Sequence, residues 1–292
     1  MAPADDPLLA RLTPALADVP GVAAVVLGGS RARGTATETS DYDLGLYFRC
    51  GRPLDTEVLL RAVRPLVDHP ETAAITSIGE WGPWIVGGGW LRIAGKKVDV
   101  LYREIEAVDA VITDASAGRI SMHYQPGHSH GFCSAHWMGE VALCRPLHDP
   151  DCAVAALKAR TEPYPPSLGK ALIGRFLWEV GFSLDNARLG AARDDPTHVA
   201  GCAYRALCCA AQVLFALNAR YLINEKAALE AAQVFPLTLA NLPSCVDAIW
   251  RAIGRRDFEP AFEALHRLDS DLRALCASAA NTVLRPEAAD GG

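Results

Sequence analysis

At 292 residues with a formal charge of −6, the chain is long enough for two modest domains and has no overall basic surface to draw in a polynucleotide. Half of its residues are hydrophobic and 21% are charged, which excludes a disordered or fibrous protein. No apolar run reaches the roughly 18–20 residues that span a bilayer, and residues 1–6 lack a basic leader segment. The nine cysteines show no CxxC pair, so reduced thiols and a cytoplasmic location are expected, with no membrane partner.

In chain order, Leu8, Leu9, Leu12 and Leu16 predict a first helix over 7–18, with Pro14 expected to shorten or bend it. The run 22–27, apolar at every position, reads as a central strand. It leads into Gly28-Gly29-Ser30, and ten residues later Asp41-Tyr42-Asp43 opens a second strand with both aspartates on one face. Asp55 or Thr56 caps a helix with Val58, Leu59, Val63, Leu66 and Val67 on its apolar stripe. A Trp- and Gly-rich stretch, Trp81 to Ile93, then forms a hairpin through Ala94-Gly95-Lys96 with a strand carrying Asp99. Trp81, Trp84 and Trp90 could stack a sugar or a base, but packing onto the sheet is the expectation.

A helix bearing Ile105, Val108, Ile112 and Ala115 ends near Gly118. The stretch 119–148 is the hardest to read, with His123, His128, His130 and His136 among glycines and an expected strand at 140–144. The spacing of His128, His130, Cys133 and His136 fits no common structural zinc pattern, so these are expected to be loop or acceptor-pocket residues. The proline-rich connector at 161–166 marks a change to an all-helical pattern. Helices are expected from a Ser167 cap onward, at 197–219 after Asp195-Pro196, and at 225–233, 244–253 and 258–277. Glu179 is expected on the exposed side of its helix. Domains are placed at 1–149 and 150–285, with a disordered tail at 286–292.

A small-residue turn after a buried strand lets backbone N–H groups approach phosphate, and carboxylates at i and i+2 of a strand suit a hard cation. Each signal is weak alone. Taken in order with the third carboxylate, Gly28-Gly29-Ser30-Arg31-Ala32-Arg33-Gly34, Ser40-Asp41-Tyr42-Asp43-Leu44 and Lys97-Val98-Asp99-Val100 resemble the nucleotidyltransferase superfamily that includes DNA polymerase beta. The resemblance covers about residues 22–102. The helical second half adds a looser likeness to the two-domain kanamycin- and streptomycin-type resistance enzymes and to uncharacterised bacterial relatives.

This resemblance implies an α+β fold: a small mixed β-sheet with helices on one side, followed by a helical bundle. It implies metal-dependent transfer of NMP, AMP first, from NTP to a hydroxyl, with release of pyrophosphate. Asp41, Asp43 and Asp99 would be the catalytic carboxylates and the ligands of a two-Mg²⁺ site, with Asp99 the first candidate for general base. Gly28, Gly29 and Ser30 would hold the β- and γ-phosphates, with Arg31 and Arg33 as phosphate neutralisers or solvated turn residues. Lys226 would be a triphosphate contact from the helical half, or an ordinary surface lysine. The acidic charge favours a small acceptor, an aminoglycoside-like antibiotic being the most concrete expectation. Transfer to a protein side chain or a tRNA end, and a non-catalytic nucleotide-binding or antitoxin-like module, stay open as alternatives.

Overall fold

A computed structural model describes residues 6–283, so the tail expected at 286–292 lies outside the described residues. Contacts divide the chain into two compact units. The first runs through Ala117 and includes Ser121–Gly127 and Gly131–Pro163; the second contains Gly118–Ile120, His128–His130 and the chain from Tyr164 onward.

The first unit begins with α1 (Pro7–Ala17), whose N-cap Asp6 accepts from the backbone N–H groups of Leu8 and Leu9. The helix continues through Pro14, so the expected shortening does not occur. Five strands make one mixed sheet: β1 (Val22–Leu27), β2 (Tyr42–Phe48), β3 (Gly88–Ile93), β4 (Lys96–Glu104) and, across the far edge, β5 (Arg145–His148). Their order is β3-β4-β2-β1-β5, parallel only between β2 and β4. The residues of one face, including Val25, Leu27, Leu44, Leu46, Ile93, Val98, Val100 and Tyr102, form the core with α1 and the helix Thr56–Val63. Asp55 is the cap of that helix.

The opposite face also carries a helix. There Arg103, 3% exposed, forms a bidentate pair with Glu140 of the helix Ala135–Leu143. Helices therefore pack on both faces of the sheet, not on one. The strand expected at 140–144 is the end of this helix, and the strand that follows is Arg145–His148. Seven of the helix's nine residues are buried, so it is apolar nearly all round and carries no amphipathic period to distinguish it from a buried strand. The strand holds Pro146 and lies at the sheet edge, where a missing N–H is tolerated.

The second unit is all helical, with long helices at Pro166–Ala191 and Pro196–Leu217 packed along each other and further helices at Ala228–Ala232, Leu242–Gly254 and Phe258–Val283. Asp195 caps the second long helix. The first has no side-chain cap; its N-cap is Pro165, and Ser167 lies inside it. The helix expected at 225–233 is only five residues long, since Ala227 takes a positive φ of 53° just before it. Pro196–Leu217 is long and apolar enough by composition to cross a membrane, although Tyr204, Arg205 and Gln212 interrupt it as a continuous run. Of its most apolar 18-residue window, 72% is buried, which is the pattern of a core helix. All nine cysteines are unbridged.

Candidate active site

The site-forming segment follows from how β1 ends. Gly28 continues the ladder one step past Leu27, donating its N–H to the Asp43 carbonyl at 2.7 Å. Gly29 then turns the chain with φ +59° into a five-residue helix, Gly29–Arg33, which Gly34 closes at φ +73°. The left-handed turn is only half of the reason for glycine at 29. A Cβ there would stand 1.7 Å from the Asp43 Oδ2, so the carboxylate lies directly against the Gly29 backbone. At Gly28 the nearest atoms to such a Cβ are 3.6 Å away, an ordinary contact.

Asp43 and Asp99 are register partners on the parallel strands β2 and β4. Lateral neighbours in a sheet share a face at a strand spacing of about 4.8 Å, so the two carboxylates stand side by side. Asp41 lies one residue before β2 and has the same parity as Asp43. Among the described residues no group of three or more His, Cys, Asp or Glu side chains is gathered to hold a metal ion. The pair Asp43 and Asp99 is nonetheless a suitable donor set for Mg²⁺, which usually takes one or two protein carboxylates and completes its shell from water and substrate phosphate.

Arg31 sits where it can set the position of Asp41. Its Nη2 donates to the Ser40 carbonyl at 2.7 Å and its Nε to the Asp41 carbonyl at 3.1 Å, while the guanidinium lies 3.7 Å from the centre of the Tyr42 ring. The Tyr42 hydroxyl donates to Asp6 Oδ2 at 2.8 Å. Burial, and next the Asp6 carboxylate, hold the Tyr42 phenol above its usual pKa. The α1 cap, the Tyr42 ring and Arg31 thus brace the chain that enters β2. Arg31 is a strut between loop carbonyls; Arg33 is exposed in the last turn of the short helix. We expect Arg31→Lys, which loses the fork and the stacking face, to speed amide hydrogen exchange over 40–42 roughly tenfold. Unchanged exchange there would remove Arg31 from this role.

Lys226 belongs to the second unit and is exposed in a turn two residues before the helix Ala228–Ala232, its N–H bonded to Asn224 Oδ1. Glu179 is 4% exposed, contrary to the expected outer face, and its Oε1 accepts from Arg205 Nε at 2.5 Å. The histidines separate. His136 is buried in its helix against Phe132, and His123 contacts Ser121 and Trp84. Ser129 and His130 donate their N–H groups to Glu225 Oε1 at 2.5 and 3.4 Å, which fastens this tripeptide inside the second unit.

Burial, followed by Arg205, pushes the His130 pKa down, with Glu179 and Glu225 opposing and Arg175 adding to the decrease. A histidine kept neutral in the folded state binds fewer protons than the unfolded chain, so its contribution to stability falls as pH drops through the unfolded value of about 6.5. Thermal midpoints followed from pH 8 to pH 5 should therefore decline less in His130→Asn than in the parent; parallel curves would contradict this.

The tryptophans also divide. Trp84 packs among His123, Phe132 and Trp137, which lie outside the five-stranded sheet. Trp90 is 70% exposed, against expectation. The Arg31 strut and the Asp6–Tyr42 bond escaped the sequence reading because neither residue type at those positions signals a partner that lies 10 or 36 residues away.

Residues 10–120 match the family model of the nucleotidyltransferase domain, a span holding Gly28 to Asp99. No curated protein matches the chain. Among solved structures, a nucleotidyltransferase-like protein from Exiguobacterium sibiricum aligns at a TM-score of 0.40 and 11% identity, over 93% of this chain and 76% of that one.

Proposed function

We propose, from the premise that residues 10–120 form a domain of the nucleotidyltransferase family, that this enzyme moves a nucleotidyl group from an NTP to a hydroxyl of a small acceptor. The observation that carries the reading is the register match of Asp43 with Asp99, with the Asp43 carboxylate seated against Gly29. In the proposed reaction the acceptor oxygen bonds to the α-phosphorus as the bond to the bridging β-phosphate oxygen breaks. Pyrophosphate leaves, and the hydroxyl proton passes to a carboxylate, for which Asp99 is the candidate.

Asp43 and Asp99 would hold Mg²⁺, with Asp41, which precedes β2 at the same parity as Asp43, as the further proposed ligand. When bound, the cation supplies charge neutralisation of the triphosphate and polarisation of the reacting phosphate. The Gly28 N–H already serves the Asp43 carbonyl, which leaves Gly29 and Ser30 as the phosphate-facing part of the turn, since the first N–H groups of a helix have no partner within it. Arg33, in the last turn of the same short helix, is the proposed additional phosphate contact, and ATP the proposed donor. A net charge of −6 and paired carboxylates favour a cationic acceptor, such as an aminoglycoside-like molecule, over a polynucleotide.

The test is incubation with each of the four α-labelled NTPs and Mg²⁺ over a panel of aminoglycosides, tRNA and proteins, with mass analysis of whatever gains a nucleotide. A labelled aminoglycoside is the expected product. NTP binding that needs no Mg²⁺, or that is unaltered in the Asp41→Asn, Asp43→Asn double variant, would overturn the reading.

A further inference from the structure

The row of side chains that contains Asp43 and Asp99 extends one strand further. β3 is the edge strand and pairs antiparallel with β4, and in that ladder Trp90 is the register partner of Asp99. Directly opposed residues share a face with their Cβ atoms about 4.5–5.5 Å apart. Across one face of the sheet the order is therefore Gly29 against Asp43, then Asp99, then Trp90.

A single exposed aromatic residue is ordinary on a protein surface. Trp90 differs in being held in place. The Trp81 ring stacks on it with centroids 4.5 Å apart and planes 21° from parallel. Gly88 lies close under both strand and ring: a Cβ there would stand 1.8 Å from the Val100 carbonyl oxygen and 3.1 Å from Trp81 Cζ3. One ring is thus backed by another and remains 70% exposed, beside a carboxylate.

We infer that Trp90, backed by Trp81, is the specificity-determining wall for the acceptor, and that it selects a ring carrying a protonated amine, as in an amino sugar. This rests on the proposed nucleotidyl transfer. If the triphosphate occupies the glycine end of the row, the acceptor hydroxyl has to approach from the Asp99 side, where Trp90 stands. An indole face attracts cations and the polarised C–H groups of a saturated ring, and the neighbouring carboxylates attract the same charge. A neutral or anionic acceptor gains from neither.

Kanamycin and streptomycin serve as cationic probes and methyl glucoside as the neutral one, with calorimetric titration of the full chain in the presence of Mg²⁺ and a non-hydrolysable ATP analogue. The parent should bind at least one cationic probe and not the glucoside. Trp90→Ala should weaken that binding about tenfold. Trp90→Phe, which keeps an aromatic face, should stay within about threefold. The ATP analogue should bind all three proteins equally. Cationic probes that bind the parent and Trp90→Ala alike, or none at all beside intact nucleotide binding, would overturn the inference, as would a loss confined to nucleotide affinity in Trp90→Ala. A parent that fails to bind the nucleotide with Mg²⁺ would instead overturn the transfer reading beneath it.

Discussion

Gly29→Ala is expected to lower nucleotidyl transfer by at least about a hundredfold, while Gly28→Ala, one residue earlier, leaves most of it intact. The new methyl at 29 would be placed 1.7 Å from Asp43 Oδ2, so either the carboxylate or the turn has to move. The positive φ of 59° adds roughly 1–2 kcal/mol of backbone cost for any residue with a Cβ. Both effects displace Asp43 from its place beside Asp99, and a misplacement of about 1 Å at a reacting centre is enough for a hundredfold loss. Gly28 has a φ of −111°, and a Cβ there meets nothing nearer than 3.6 Å. The contrast is read from kcat/KM for the labelled acceptor alongside the thermal midpoint of each variant. Equal activities in the two variants would show that the contact between Gly29 and Asp43 does not matter.

The second large effect belongs to the carboxylates. Asp43→Asn and Asp99→Asn each keep the shape of the side chain and remove its charge, and each should lower kcat about a thousandfold or more, since charge stabilisation at the reacting phosphate is the main work of such a site. The same substitutions should stabilise the apo-protein. Like charges on directly opposed strand positions destabilise a sheet by about 0.2–1 kcal/mol, so either change relieves repulsion and should raise the thermal midpoint by about 1–3 °C. Millimolar Mg²⁺ should raise the midpoint of the parent and leave the variants where they were, which links the stability measurement to cation binding without any assay of turnover. A parent insensitive to Mg²⁺, with variants of unchanged stability, would argue that the two aspartates are ordinary strand residues.

Much of both units was legible in the chain itself. The order of β1, the glycine turn and β2, the hairpin bearing Asp99 and the caps at Asp55 and Asp195 all depend on short-range rules: strand alternation, left-handed glycines and side chains that accept from nearby backbone. The stretch 119–148 was not legible in this way. A helix apolar nearly all round, such as Ala135–Leu143, has lost the polar face whose period would reveal it, and His128–His130 belongs to a different unit from the residues on either side. Glu179 was misplaced for a similar reason. Its burial is tolerated because Arg205 comes to it from another helix, a partner that no local pattern announces.

For the site, the sequence by itself determined which chemical groups are present: a glycine turn, three aspartates and a nearby cluster of tryptophans, on segments whose strand or turn character follows from their own residues. Only the tertiary structure decided how they combine. Strand register joins Asp43 to Asp99 and Asp99 to Trp90, and register is set by which faces the sheet buries, a property of the whole unit rather than of any one strand. The same packing turned Arg31 from a candidate phosphate ligand into a brace on Tyr42 and the Asp41 backbone, and left Trp90 rather than Trp84 open beside the carboxylates, because side-chain partners across a sheet are chosen by distance in space and not along the chain.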